Sequence, residues 1–126
     1  MKFNLKELII TAVIYLTIDI VYITSSSRRF KKYFKYLQNA PLKFKQMPAV
    51  ITYTLLTLGL YYFIIKDKRP VLDAFLLGIL IYGVYDFTNY ATLQKWTLAF
   101  SVTDMLWGGV VFALSTYIIY KVIDLV

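Results

Sequence analysis

The chain has 126 residues, of which 60% are apolar and 18% aromatic, and its mean hydropathy is +0.63. That is too oily for a soluble domain of this length and leaves room for one membrane unit, 1–126, without a second domain. Cys and His are both absent, which excludes the usual zinc sites, haem ligation, disulfides and imidazole acid–base catalysis; the net charge of +7 gathers beside apolar stretches, which favours a membrane surface over nucleic acid.

Four stretches, at roughly 7–24, 48–65, 72–93 and 97–120, reach the ~20 residues that cross a bilayer. Each must be helical, because lipid offers backbone amides no partner. The first follows Lys2 and Lys6 and precedes Ser25, Ser26 and Ser27, as a secretory signal would, but Asp19, Tyr22 and the lack of an Ala-x-Ala pattern predict a retained span. The connection from Ser25 to Met47 holds Arg28, Arg29, Lys31, Lys32, Lys35, Lys43 and Lys45 and no acid. Within it Phe30, Tyr33, Phe34 and Leu37 follow helical spacing with the basic residues on the remaining face. Ser27 is the expected N-cap. The pattern predicts a helix lying in the interface on an anionic leaflet, where each basic residue is worth about 1 kcal/mol; a solvated basic loop is the alternative.

Pro48 suits the first turn of the second span, where its missing amide hydrogen would be unpaired anyway. Arg69 and Pro70 close the turn into the third span. Only a few residues around Gln94, Lys95 and Trp96 join the third and fourth, so these two form an antiparallel hairpin, with Lys95 and Trp96 at the water boundary. The fold class expected is therefore all-α: a polytopic membrane protein with four transmembrane helices and a basic amphipathic interfacial helix between the first and second. Eight of the 14 basic residues lie on the side of the long connection and six on the other. The positive-inside rule then places both termini outside.

Three aspartates, Asp19, Asp86 and Asp104, fall inside these spans with no basic residue to neutralise them. A carboxylate in hydrocarbon is costly enough that it faces a bundle interior or a wet cavity and marks a functional site. Asp86 and Asp104 flank Lys95 at equal distance in sequence, so a rise of ~1.5 Å per residue sets them at one depth in neighbouring helices. Asp19 approaches the same membrane side. Helical spacing puts Tyr82, Asp86, Asn89, Tyr90 and Leu93 on one face, Ser101, Asp104, Trp107 and Gly108 on another, and Tyr15, Asp19 and Tyr22 on a third. Gly108 permits a close backbone approach, and Gly109 with Ala113 makes a small-x-x-x-small pair. Two carboxylates so placed do not both keep their charge without a counter-charge, so the pair shares a proton or holds a cation. With oxygen ligands only, the cation would be hard, such as magnesium, calcium, manganese or sodium; no metal-spacing motif is present. The alternative is that each acid is polar glue, bonded to a neighbouring helix. Most of the Tyr and Phe are assigned to interfacial belts and packing, leaving Trp107 as the ring that lines a pocket beside Asp104. Ile14-Tyr15-x-x-x-Asp19 echoes Ile81-Tyr82-x-x-x-Asp86, which a chain rich in Ile and Tyr produces by composition.

The stretches Asp19-x-x-Tyr22, Pro48-Ala49, Tyr85-Asp86-x-Thr88-Asn89-x-Ala91-Thr92-Leu93-x-x-Trp96 and Asp104-x-x-Trp107-Gly108 resemble a family of small four-span membrane proteins with no assigned function, found as predicted membrane proteins in bacteria and some large viruses. The resemblance spans almost the whole chain and implies the four-span fold but no activity. Where relatives often carry Trp after the first acid, Tyr22 stands here, which puts an indole-specific role at that position in doubt.

Three functions are compatible with these residues. In the first, cation- or proton-linked transport or conduction, Asp86 and Asp104 bind the ion, Asp19 completes the site, and Asn89 and Tyr82 orient them; a chain this short would self-associate to enclose a path. In the second, an enzyme acts on a lipid or isoprenoid headgroup, with the acids holding a divalent metal and the basic connection attracting phosphate. In the third, a structural or adaptor protein recruits anionic lipid or an acidic partner through the basic helix. Transport ranks first.

Overall fold

The computed structural model describes residues 3–40 and 45–126. Lys2 and Lys43, counted in the charge asymmetry above, lie outside the described residues. Five helices follow in order: α1 Leu5–Ser25, α2 Ser27–Gln38, α3 Gln46–Leu60 running on into a π-helical turn Tyr61–Ile65, α4 Val71–Thr92 and α5 Leu98–Leu125. The α3 continuation makes Gln46–Ile65 one apolar span, and with α1, α4 and α5 it gives the four helices long and apolar enough to cross a membrane. Their outward residues, Ile9, Val13, Leu55, Leu80 and Val84 among them, are more than half exposed, as side chains that meet acyl chains rather than water can be.

Local chemistry sets the ends. Asn4 caps α1 by accepting the amide of Glu7 at 3.2 Å, the Thr97 hydroxyl caps α5 at the amide of Phe100, and Pro70 precedes α4 where its lost donor costs nothing. Ser26 rather than Ser27 occupies the N-cap of α2 and makes no side-chain capping bond, because the chain passes from α1 to α2 with almost no linker. Asn39 takes the left-handed conformation at φ 58° and ends α2, its amide bonding back to Lys35.

The α4–α5 hairpin is the most extensive contact in the molecule; α1 packs on α5, and α3 packs on α1. The close approach of α4 and α5 depends on glycine from both sides. A Cβ on Gly78 would run into the backbone carbonyl of Gly108, and one on Gly108 would enter the Tyr82 ring. The partner of Gly108 is therefore Gly78, rather than the Gly109–Ala113 pair acting alone.

Away from α2, the bundle is pinned. The Asn4 amide donates to the Tyr61 hydroxyl at 2.7 Å, Lys68 pairs with Glu7 at 2.8 Å, and Tyr120 donates to the Arg69 carbonyl at 2.5 Å. The π turn closes through a 2.8 Å bond from the Lys66 amide to the Tyr61 carbonyl. One extra residue in that turn breaks the 3.6-residue phase, so that Leu60, Tyr61, Ile64 and Ile65 all point into the core. At the α2 side α3 is tied, among the described residues, to α1, from Tyr53 to Asp19. It leans on α1 and makes no comparable contact with α4, so the two helices part there.

Helix α2 has an exposed basic face, Arg28, Arg29, Lys31, Lys32 and Lys35, and an aromatic face that docks on the hairpin. Tyr33 and Phe34 lie 4.5 and 6.3 Å from the Phe100 ring and 5.9 and 6.1 Å from Trp96, and the Tyr33 hydroxyl accepts from the Thr97 amide at 3.1 Å. Trp96 departs from the expected water-boundary role. It is 4% exposed, and its indole N–H donates to the Ser101 hydroxyl at 3.0 Å, because α2 covers it.

Candidate functional site

Asp19, Asp86 and Asp104 each stand six residues from the helix end on the α2 side, at Ser25, Thr92 and Leu98 respectively. At ~1.5 Å per residue all three lie roughly 9 Å inside that end. Asp86 is fully buried against α5, and neither of its carboxyl oxygens meets a hydrogen-bond donor. Its carboxyl stands beside that of Asp104. Asp104 is half-buried and within electrostatic reach of Asp19. The backbone around Asp86 is fixed by the hairpin, since its carbonyl lies 3.3 Å from the Ser101 hydroxyl that also receives Trp96.

Asp19 is held differently. It is 3% exposed and accepts a 3.1 Å hydrogen bond from the Trp107 indole N–H. That indole is itself set by Tyr22, whose ring stacks on it at 3.9 Å and 16°. Asp19 therefore adjoins the Asp86–Asp104 pair without completing a three-carboxylate cage. Among the described residues, no group of three or more acidic side chains is arranged to hold a metal ion. Tyr82 reaches no acid directly; its hydroxyl shares a 2.8 Å hydrogen bond with that of Tyr15. The two tyrosines that echo each other in sequence thus meet in space. Asn89 stands by the Tyr85 hydroxyl one turn back rather than bonding Asp86, while Tyr90 and Leu93 are 44% and 46% exposed and leave the site.

Where α3 parts from α4, a cleft of about 530 Å³ opens. Asp19 and Asp104 reach it from α1 and α5, and Tyr22, Trp107, Tyr53, Tyr82, Tyr85 and Phe100 supply most of its rings, with Phe30 and Phe34 of α2 at its end. Asp86 lies behind Asp104 and does not line it. These rings are the main departure from the expected interfacial belt: they face inward because α3 stands off. Tyr53, which places its hydroxyl by the Asp19 carboxyl, was not among the sequence-based candidates. Its signal was available in the spacing Tyr53, Thr57, Leu60, one face of α3 whose last two members are buried.

A model of the family described as "Predicted membrane protein (DUF2177)" matches residues 4–121. That range takes in α1 to α4 whole and most of α5. No curated protein and no solved structure matches the chain.

Proposed function

The chain belongs to this DUF2177 family of predicted membrane proteins, and from that premise we propose that it moves protons, or a solute exchanged for protons, through the Asp86–Asp104 pair and the cleft on which Asp104 opens. The observation that carries this reading is the state of Asp86, fully buried with no N–H or hydroxyl donor to its carboxyl among the described residues and with a second carboxyl, that of Asp104, as its bonding neighbour. Polar glue would bond an amide or hydroxyl on an adjacent helix rather than a second acid. Two carboxylates in low dielectric do not both stay charged, so the pair holds a proton. Asp104 exchanges it at the cleft, Asp86 stores it, and the Tyr15–Tyr82 hydroxyl pair is the next acceptor and donor inward. Beyond it, the buried hydroxyls of Thr57, Ser115 and Thr116 have no protein partner, which suits a hydrated continuation towards the Asp67 side. A hard metal ion is the less favoured occupant, given the ligand count, and a metal-dependent lipid enzyme falls with it.

In this reading the α2 side, with eight of the 14 basic residues, faces the cytoplasm and both termini lie outside. The exposed basic face of α2 rests on anionic lipid, and self-association into a homo-oligomer encloses a continuous path where one is needed. Proteoliposomes containing a pH-sensitive dye test the proposal: under an imposed membrane potential, wild-type vesicles acidify or alkalinise faster than empty ones, and Asp86→Asn and Asp104→Asn vesicles do not. Wild-type flux equal to that of Asp86→Asn, both under the potential alone and with a gradient of an organic cation added, would remove the proposal.

A further inference from the structure

The walls of the cleft define a class of solute. We infer that it is a site for a lipophilic organic cation, an amine or quaternary ammonium or phosphonium headgroup set between Asp19 and Asp104, with its hydrocarbon part passing between α3 and α4 into the bilayer. The inference rests on the transport reading for its purpose, since an organic cation is then the solute exchanged for the proton.

Charge comes first. Two carboxylates reach the cleft, and no Lys or Arg among the described residues lines it; the basic side chains of α2 point to the exposed face instead. An anion would face both carboxylates there, with no basic side chain in the lining to offset them. An inorganic cation keeps a tight hydration shell and needs a cage of oxygens to replace it, and no three acids converge. An organic cation has little hydration to lose. Its charge is spread and can be met partly by aromatic faces, which attract cations within about 6 Å of the ring centroid.

The rings are in place for that. Tyr22 and Trp107 form a rigid stacked pair at 3.9 Å, and the hydrogen bond from Trp107 to Asp19 joins the aromatic wall to a carboxylate. Tyr53 and Phe100 face them from α3 and α5. Shape agrees as well. About 530 Å³ falls within the range of small-molecule sites, and the sparse contact between α3 and α4 gives a sideways exit that suits a molecule partitioned into the membrane. The headgroup would sit roughly 9 Å inside the helix ends, deeper than a lipid headgroup but reachable from the interface.

The test uses a matched pair of probes, tetraphenylphosphonium and tetraphenylborate, which share shape and hydrophobicity and differ in sign. Equilibrium dialysis of the full-length protein in nanodiscs of uncharged lipid is expected to show saturable one-to-one binding of the cation, at least tenfold tighter than the anion. Asp19→Asn and Asp104→Asn each lower cation affinity tenfold or more. Equal binding of both probes by wild type, no saturable binding of either, or unchanged cation affinity in the doubly substituted protein would overturn the inference; the first two need no variant to fold. Run beside the flux assay, performed both without and with a tetraethylammonium gradient across the vesicles, the outcomes separate: flux without cation-selective binding overturns the cation site alone, whereas selective binding without flux under either condition overturns the transport reading and supports the site.

Discussion

Replacing Asp86 and Asp104 together by Leu should leave the protein as stable as before or stabilise it, while abolishing its proton-linked activity. Asp and Leu share the same branched heavy-atom skeleton, so the buried space is refilled without a cavity or a clash. No N–H or hydroxyl group among the described residues donates to the Asp86 carboxyl, which leaves the proton shared with Asp104 as its bond; replacing both partners of a buried hydrogen bond by apolar groups of the same shape is neutral to stabilising, whereas Asp86→Leu alone strands the Asp104 carboxyl. The expected change for the double substitution therefore lies between zero and a gain of about 1–3 kcal/mol. Asp19→Leu supplies the internal contrast, because it strands the Trp107 indole N–H and should cost about 1 kcal/mol. Equilibrium unfolding by SDS in mixed micelles, followed by helical circular dichroism, measures both. A loss of about 1 kcal/mol or more in the doubly substituted protein would refute the reasoning, since it would mean that the carboxyls make stabilising bonds to other groups and serve as polar glue.

Other substitutions probe the supports. Trp107→Phe keeps a ring against Tyr22 but removes the donor to Asp19, and a double-mutant cycle with Asp19→Leu, which removes the acceptor, should give a coupling of about 0.6–1.7 kcal/mol by the same unfolding assay. Gly78→Val drives a side chain into the Gly108 backbone and should cost about 1–3 kcal/mol, whereas Gly59→Ala, with nothing within 4 Å, should be neutral or gain up to about 1 kcal/mol. Reversing Arg28, Arg29, Lys31 and Lys32 to Glu should weaken the attachment of a spin label on α2 to anionic vesicles, by about 1 kcal/mol per residue, and leave neutral vesicles unaffected. Because the chain has no Cys, single cysteines at residue 3 and residue 32 can be labelled cleanly in cells; residue 3 should react from outside and residue 32 only after permeabilisation.

The spans and the Asp86–Asp104 pairing were legible because they depend on hydropathy and on the short turn at Gln94–Trp96, both local. Lateral order was not. Whether α3 touches α4 depends on the phase shift at Tyr61–Ile65 and on ties such as Asn4–Tyr61, neither of which leaves a mark in hydrophobic periodicity. The aromatic residues were hardest to place for the same reason: a Tyr or Phe near a span end reads as an interfacial anchor, and only the stand-off of α3 turns Tyr53 and Tyr85 towards a cleft. Trp96 has the sequence position of an interfacial anchor, yet Tyr33 and Phe34 of α2 cover it. The contact between Tyr15 and Tyr82 through their hydroxyls was likewise not legible, because it depends on the lateral order of α1 and α4.

Infrared difference spectroscopy of the protein in nanodiscs reads the pair itself. A carbonyl-stretch band of a protonated carboxyl, present in wild type, lost in Asp86→Asn and shifted when tetraphenylphosphonium binds, is the expected result. A wild-type spectrum without that band, or one that Asp86→Asn leaves unchanged, would contradict a shared proton at Asp86 and Asp104.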